Sequence, residues 1–103
     1  MDIVLVRYKV RDDKAAENEA LVHGVFDELR EKKPPGLRYG TFRLEDGSSF
    51  VHLAMIDTPD GSNPLRALES FKRFQADIDE RCVEGPDVTE LVAVDGYGLT
   101  GSA

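Results

Sequence analysis

Four stretches of the chain alternate as β-strands do, and their side chains are apolar on both faces of the predicted strands. In the stretch Ile3 to Val10, four large side chains share one face and two apolar side chains share the other. The stretch Phe50 to Ile56 repeats this two-sided pattern. Helices between the strands can cover only one face of a sheet, so the other face needs a second apolar surface. The pattern therefore predicts that two copies of the chain associate.

The strands are predicted at Ile3 to Val10, Leu37 to Leu44, Ser49 to Ile56 and Val88 to Val94. Between the second and third strands lies Glu45-Asp46-Gly47-Ser48. An Asp-Gly pair between two alternating runs is a strong signal for a hairpin. We therefore expect these two strands to be antiparallel neighbours.

Two helices are predicted between the strands. The first is capped by Asp12 or Asp13 and runs to about Lys33, where Pro34-Pro35-Gly36 stops it. The second has Asn63 as its N-cap and Pro64 at its first position, and it extends to about Ile78. Gly85-Pro86 is expected to end that region.

The order strand, helix, strand, strand, helix, strand is the split βαβ arrangement of a ferredoxin-like domain. Right-handed crossovers place both helices on one face of a four-stranded antiparallel sheet. We predict a single α+β domain over residues 1–97, followed by a flexible tail at 98–103.

Composition limits the partners of this 103-residue chain. Acidic side chains outnumber basic ones by 20 to 13, and the net charge of −7 disfavours nucleic acid. No segment indicates a membrane span. Cys82 is the single cysteine, which excludes an intrachain disulfide, and no signal core follows the amino terminus. We therefore expect a cytoplasmic protein without nucleic-acid or membrane partners.

Three runs resemble the dimeric α+β barrel superfamily and, within it, the antibiotic-biosynthesis-monooxygenase-like families: Ile3 to Val10, Phe50 to Ile56 and Ser70 to Phe74. The resemblance implies a homodimer in which two sheets pack face to face. It also implies a small pocket between each sheet and its own helices. Similar proteins include cofactor-independent monooxygenases of aromatic polyketides, quinol oxidases, haem-degrading enzymes and many proteins without known activity.

The chain departs from the catalytic pattern of those families. Their monooxygenases carry a Glu two residues before a Trp at the end of the third strand, and a His early in the second helix. The corresponding places here are Ala54 and Ile56, the chain has no Trp, and no His follows His52. The Asn, Trp and ligating His of the haem-degrading branch are not found at matching positions. The resemblance therefore supports the fold more strongly than the activity.

The hairpin predicts a polar cluster. A loop of two or four residues places Thr41 opposite His52 and Tyr39 opposite Ala54 on one face, whereas a three-residue loop would remove the cluster. The resemblance implies that this face lies toward the helices. His52 would then be a catalytic base or hydrogen-bond partner for an acidic phenol or enol, oriented by Tyr39 and Thr41. The alternative is a half-buried histidine paired with Thr41 for structural reasons only.

Two further groups complete the candidate site. Phe71 and Phe74, three residues apart on the second helix, are core residues that would also line a pocket between helix and sheet. His23 in the first helix either points into that pocket or is simply half-exposed. On the opposite face of the sheet, the candidates for the dimer interface are Phe42, Val51, Leu53 and Met55.

No cofactor is expected. Two histidines and one cysteine, far apart in sequence, do not make a zinc or non-haem iron site. The run from Gly96 to Gly101 matches G-x-G-x-x-G, but no helix can follow it to meet a pyrophosphate. Haem, flavin and metal are therefore expected to be absent. Two functions remain open: a cofactor-free monooxygenase-like enzyme for an aromatic or quinol-like molecule, or a non-catalytic ligand-binding or assembly module.

Overall fold

The computed structural model describes residues 1–99. In chain order the elements are β1 (Asp2–Val10), α1 (Ala15–Lys32), β2 (Leu37–Arg43), β3 (Ser49–Ile56), α2 (Glu69–Ala76), α3 (Ile78–Arg81) and β4 (Cys82–Leu91). Short 3-10 turns at Asp12–Lys14 and Pro64–Ala67 precede α1 and α2. The predicted tail extends beyond residue 99, so its end lies outside the described range.

The four strands form one sheet in the order β2-β3-β1-β4, and every neighbouring pair is antiparallel. The helices pack on one face of this sheet. The predicted ferredoxin-like α+β fold is thereby confirmed. Among residues 1–99, no helix combines the length and the apolar character needed to cross a membrane.

The β2–β3 hairpin has the predicted register. Thr41 pairs with His52 and Tyr39 with Ala54. The N–H of Leu44 donates to the carbonyl of Ser49 at 2.9 Å, which leaves four residues, 45–48, in the loop. A loop of four residues preserves the alternation of faces, so the polar cluster lies on the helix-covered face.

The fourth strand lies earlier in the chain than the predicted Val88–Val94. Gly85-Pro86, expected to end a helical region, lies inside β4 instead. β4 is an edge strand, where a proline that lacks an N–H is tolerated. Gly85 has φ 78°, and a Cβ at that position would lie 2.7 Å from the carbonyl oxygen of Arg7. The strand therefore continues through the Gly-Pro pair because it has a free edge and a glycine where the ladder is irregular.

The helix starts also differ from prediction. Asp12 and Asp13 form a 3-10 turn before α1, and no side chain caps that turn or α1. Asn63 does act as a cap, since its Oδ1 accepts from the N–H of Leu65 at 3.0 Å. It caps a 3-10 turn, however, and extended backbone at Leu68 interrupts the helix that the sequence predicted as continuous.

The N-terminus of α2 is held by α1 instead. Glu28 Oε1 accepts from the backbone N–H of Ser70 at 2.9 Å and from its hydroxyl at 2.5 Å. The other carboxylate oxygen of Glu28 pairs with Lys32 Nζ at 2.6 Å. These bonds with Lys32 and Ser70 lower the pKa of Glu28 to about 2. The first turn of α2 thus depends on a side chain from another helix.

The two faces of the sheet are filled differently. The helix-covered face carries the core, a cluster of Tyr8, Val10, Val22, Val25, Phe50, Leu65, Leu68 and Phe74. On the other face, called the open face below, Phe42 is 60% exposed. Its neighbours Val51, Leu53 and Met55 are half-buried. Within the described residues no helix packs on the open face.

Candidate functional site

A row of buried polar side chains runs through the core between the sheet and the helices. Arg81 Nε donates to Asn18 Oδ1 at 3.1 Å, and Asn18 Nδ2 donates to the hydroxyl oxygen of Tyr8 at 2.8 Å. That hydroxyl lies 2.7 Å from His52 Nε2. The four residues come from α3, α1, β1 and β3, and all four are buried.

His52 continues the row toward β2. Its Nδ1 lies 2.7 Å from the Tyr39 hydroxyl and 2.9 Å from Thr41 Oγ1. Both ring nitrogens of His52 therefore have partners, and its side chain is only 4% exposed. The predicted trio of His52, Tyr39 and Thr41 is brought together by the hairpin register.

The positions of the hydrogens follow from Arg81, because a guanidinium group can only donate. Asn18 accepts from Arg81 with its oxygen, so its NH₂ group faces Tyr8. The Tyr8 hydroxyl then donates its own hydrogen to His52 Nε2, which leaves the Nδ1–H of His52 to donate to the two hydroxyls on β2. Every bond points the same way, from the guanidinium toward the edge of the sheet. We call this row, from Arg81 to Thr41 and Tyr39, the donor chain.

The electrostatics agree with this assignment. Burial lowers the pKa of His52 to about 4, so the imidazole is neutral at physiological pH and keeps one acceptor nitrogen. Burial also raises the pKa of Tyr8 and raises the pKa of Tyr39 to about 12. Both phenols therefore stay protonated: Tyr8 donates to His52, and Tyr39 accepts from His52 and keeps a hydroxyl hydrogen of its own.

Thr41 connects the donor chain to a groove of about 340 Å³ between α1 and β2, called the α1/β2 groove below. Its accessible apolar surface comes from Phe26 and from Phe42 at the edge of the sheet, and the buried Val22 and Phe50 lie beneath it. Its other lining residues include the charged or titratable Glu19, His23, Arg30 and Arg43. A neighbouring groove of about 260 Å³ shares Phe26 and Arg30 with it and reaches Tyr39. The two hydroxyls that end the donor chain thus belong to adjoining grooves.

Phe71 and Phe74 pack in the core between the second helix and the sheet, as the sequence predicted, but they do not line the α1/β2 groove. The ring of Phe74 is buried with its centroid 5.3 Å from that of His52, so it fills the space between α2 and the sheet. Phe71 stacks behind Phe74 at 6.2 Å. Neither ring lines the α1/β2 groove, which opens under α1 rather than α2. His23 is exposed and does line that groove.

Sequence reasoning missed three members of the donor chain: Tyr8, Asn18 and Arg81. For Asn18 a signal existed, because it lies four residues before Val22 on the apolar stripe of α1. A polar side chain in a buried stripe must find a partner. Nothing in the sequence marks Arg81. Within residues 1–99, no three His, Cys, Asp or Glu side chains are grouped so as to hold a metal ion.

Comparisons with known proteins show which solved structures share this fold. No model of a known protein family matches the chain, and no curated protein sequence matches it. Solved structures do match. Rv0793 from Mycobacterium tuberculosis superposes with a TM-score of 0.75 at 20% identity, covering 94% of this chain and 98% of that one.

Two other solved structures are similar. An antibiotic biosynthesis monooxygenase has a TM-score of 0.75 at 18% identity, over 92% of this chain and 100% of its own. SnoaB from Streptomyces nogalater, described as a cofactor-independent oxygenase, has a TM-score of 0.67 at 18% identity, over 94% and 97% of the two chains. The chain therefore has the fold of the antibiotic-biosynthesis-monooxygenase-like proteins, as the sequence resemblance implied.

Proposed function

We propose that the protein is a homodimer that binds a small aromatic molecule with an acidic hydroxyl, such as a phenol, enol or quinol, in the α1/β2 groove. The donor chain carries this proposal. Thr41 accepts a hydrogen bond from His52, so its own hydroxyl hydrogen can turn from Tyr39 to an oxygen of a ligand. Phe26 and Phe42 supply apolar surface beside it for an aromatic ring.

The donor chain favours the ionised form of such a ligand. Hydrogen bonds aligned head to tail polarise one another, and the row begins at a buried cation, Arg81. The hydroxyls at its other end are therefore strengthened donors. Donors fixed in place before a negative charge develops stabilise that charge without reorganising, as an oxyanion hole does.

His52 has a positioning role in this proposal. Its Nε2 accepts from Tyr8 and its Nδ1–H donates to Tyr39 and Thr41, so no lone pair is free for the proton of a ligand. A histidine with a pKa of about 4 is also a weak base at neutral pH. The histidine orients and polarises the two hydroxyls rather than removing the proton itself.

The homodimer is supported by the open face. Phe42 is largely exposed beside the half-buried Val51, Leu53 and Met55, and helices occupy the opposite face only. A second copy of the same face is the partner whose shape and apolar character match it.

Cofactor-free oxygenation is the second candidate function, and the direction of the donor chain favours it. In such chemistry the substrate anion itself supplies electrons to O₂, so the protein needs to bind, orient and stabilise that anion. SnoaB, which shares the fold, is described as a cofactor-independent oxygenase. An oxygen electrode with a naphthohydroquinone would show protein-dependent uptake that Thr41→Val slows. Unchanged uptake alongside demonstrable binding would leave a ligand-binding module.

Binding can be tested with para-nitrophenol, whose anion absorbs visible light. We expect the anion to bind more tightly than the neutral phenol, so that binding lowers the pKa of the ligand. Thr41→Val should weaken binding of the anion about 10- to 100-fold, since hydrogen bonds to charged groups are worth roughly 1.5–3 kcal/mol. Thr58→Val makes the same change in the loop after β3, at a residue that does not line the groove, and is the control. Equal affinity for both forms of the phenol, or an unchanged Thr41→Val variant, would rule the proposal out.

A further inference from the structure

The α1/β2 groove has a charge balance opposite to that of the whole protein. The chain carries 20 acidic and 13 basic side chains. The lining of the groove, in contrast, includes two arginines, Arg30 and Arg43, and one carboxylate, Glu19. An excess of fixed cations in the groove of an acidic protein indicates recognition of an anionic ligand.

Arg43 is the better placed of the two arginines. Arg30 Nη1 lies 3.5 Å from Oδ1 of Asp27, a residue that does not line the groove. Arg43 on β2 is instead paired with Glu19 on α1, with Nη1 and Oε2 3.6 Å apart, and both residues line the groove. Their ion pair therefore joins the two walls between which a ligand would lie.

The ion pair between Arg43 and Glu19 is weak enough for a ligand carboxylate to replace Glu19. The two side chains are 49% and 44% exposed, and ion pairs at such exposure contribute little stability. A planar guanidinium binds a carboxylate through two parallel hydrogen bonds when the geometry allows it. A carboxylate on the ligand can take the place of Glu19 on Arg43 at small cost.

We infer, on the basis of the proposed function, that the ligand is a hydroxylated aromatic acid. Its ring lies between α1 and β2, its hydroxyl oxygen contacts Thr41, and its carboxylate displaces Glu19 from Arg43. Thr41 and Arg43 lie on the same face of β2, two residues and about 7 Å apart along the strand, and the Arg43 side chain extends further, to Glu19 on α1. The hydroxyl and the carboxylate therefore belong at opposite ends of the ring system rather than on adjacent carbons.

Three small probes test this inference by isothermal titration calorimetry: para-hydroxybenzoate, its methyl ester, and the ortho isomer. We expect para-hydroxybenzoate to bind at least tenfold more tightly than either of the others. Only the para acid presents both an oxygen to Thr41 and a carboxylate to Arg43. The preference over the ester should shrink as salt is added, because the anchoring charges are partly exposed.

Two variants separate the roles of the ion pair. Arg43→Gln should abolish the preference for the acid over the ester, because the acid then loses the guanidinium that distinguishes it from the ester. Glu19→Gln should increase affinity for the acid several-fold, because it removes the competing carboxylate. Arg66→Gln removes an exposed charge that does not line the groove and is the control. Circular dichroism would verify that each variant is folded.

The outcomes distinguish this inference from the proposed function. If acid and ester bind equally, or if Arg43→Gln keeps the preference, the inference is overturned while ligand binding at Thr41 stands. If the ortho isomer binds as tightly as the para isomer, the assigned spacing is overturned. If none of the three probes binds, the proposed function and the inference fall together.

Discussion

The side chains on the two faces of the sheet are buried to different extents. On the helix-covered face, the polar side chains of Tyr8 and His52 are buried, and every hydrogen-bonding atom they carry has a partner. On the open face, Phe42 is 60% exposed and its apolar neighbours are half-buried. One face is complete within a single copy of the chain, whereas the other is not. The donor chain belongs to the complete face, whereas Phe42 of the open face also lines the α1/β2 groove at the β2 edge of the sheet. The proposed ligand site therefore adjoins the proposed dimer surface.

The largest expected effect on assembly and stability comes from placing a charge on the open face. Leu53→Lys puts an ammonium group where we propose that two sheets meet, and burying an unpaired charge there costs several kcal/mol. We expect the variant to dissociate or unfold. Light scattering would show the mass falling from twice 11.4 kDa to that of one 11.4 kDa chain.

Gln75→Lys is the matched control for that change. It adds the same charge at an exposed position of α2, away from the open face, and should leave the mass unchanged. A well-folded monomer of the unmodified chain at micromolar concentration would contradict the proposed role of the open face.

A smaller effect, a change of roughly 3 kcal/mol in the free energy of unfolding, is expected when His52 on the helix-covered face is titrated. Burial lowers the pKa of His52 from 6.5 to about 4, so between these values the unfolded chain takes up a proton that the folded protein does not. The free energy of unfolding should therefore fall as the pH drops from 6.5 toward 4, and above 6.5 this contribution is constant. Urea denaturation at a series of pH values measures it.

Between pH 6.5 and pH 4.5, the titration of His52 can be distinguished from that of the acidic residues. The pKa values of Glu28 and Asp46 are lowered to about 2 from 4.5 and 3.8, so their contributions to the free energy of unfolding are lost mainly as the pH falls below 4.5. His52→Gln, although less stable, should show a flatter dependence between pH 6.5 and pH 4.5 than the wild type. Parallel curves for the two proteins would show that His52 is not the titrating group.

The smallest of the three effects tests the two bonds that the Tyr8 hydroxyl makes in the donor chain. Tyr8→Phe removes this hydroxyl and leaves Asn18 Nδ2 and His52 Nε2 without a partner, at a cost of about 1–3 kcal/mol. Tyr97→Phe makes the same change at a side chain that is 96% exposed and should cost less than about 0.5 kcal/mol. Equal stabilities of the two variants in urea would show that the buried hydroxyl contributes nothing.

The sequence predicted the parts of the site that depend on local structure. The Asp46-Gly47 turn fixes which residues of β2 and β3 face one another, and the alternation of a strand then brings Thr41, Tyr39 and His52 together. Both rules operate within fewer than twenty residues. They are therefore visible without knowledge of the rest of the fold.

The rest of the donor chain depends on contacts that are distant in sequence. Arg81 and Asn18 are 63 positions apart, and they meet only because α3 ends beneath α1. Gly85-Pro86 was expected to end a helical region, because a Gly-Pro pair ends most helices and strands, and only the position of β4 at the edge of the sheet lets a strand continue through it. Edge positions and buried partners are properties of the whole fold, not of any short segment.

The cap of α2 has a consequence for the order in which the protein assembles. An isolated helix of eight residues is too short to persist in water, and the donors of Ser70 are bound by Glu28, 42 positions earlier. That bond cannot form until α1 is in place and the intervening hairpin is closed. We therefore expect α2 to form late during folding and to detach before α1 in local opening. Hydrogen exchange should therefore be faster in α2 than in α1, and each opening would briefly remove Phe74 from above His52.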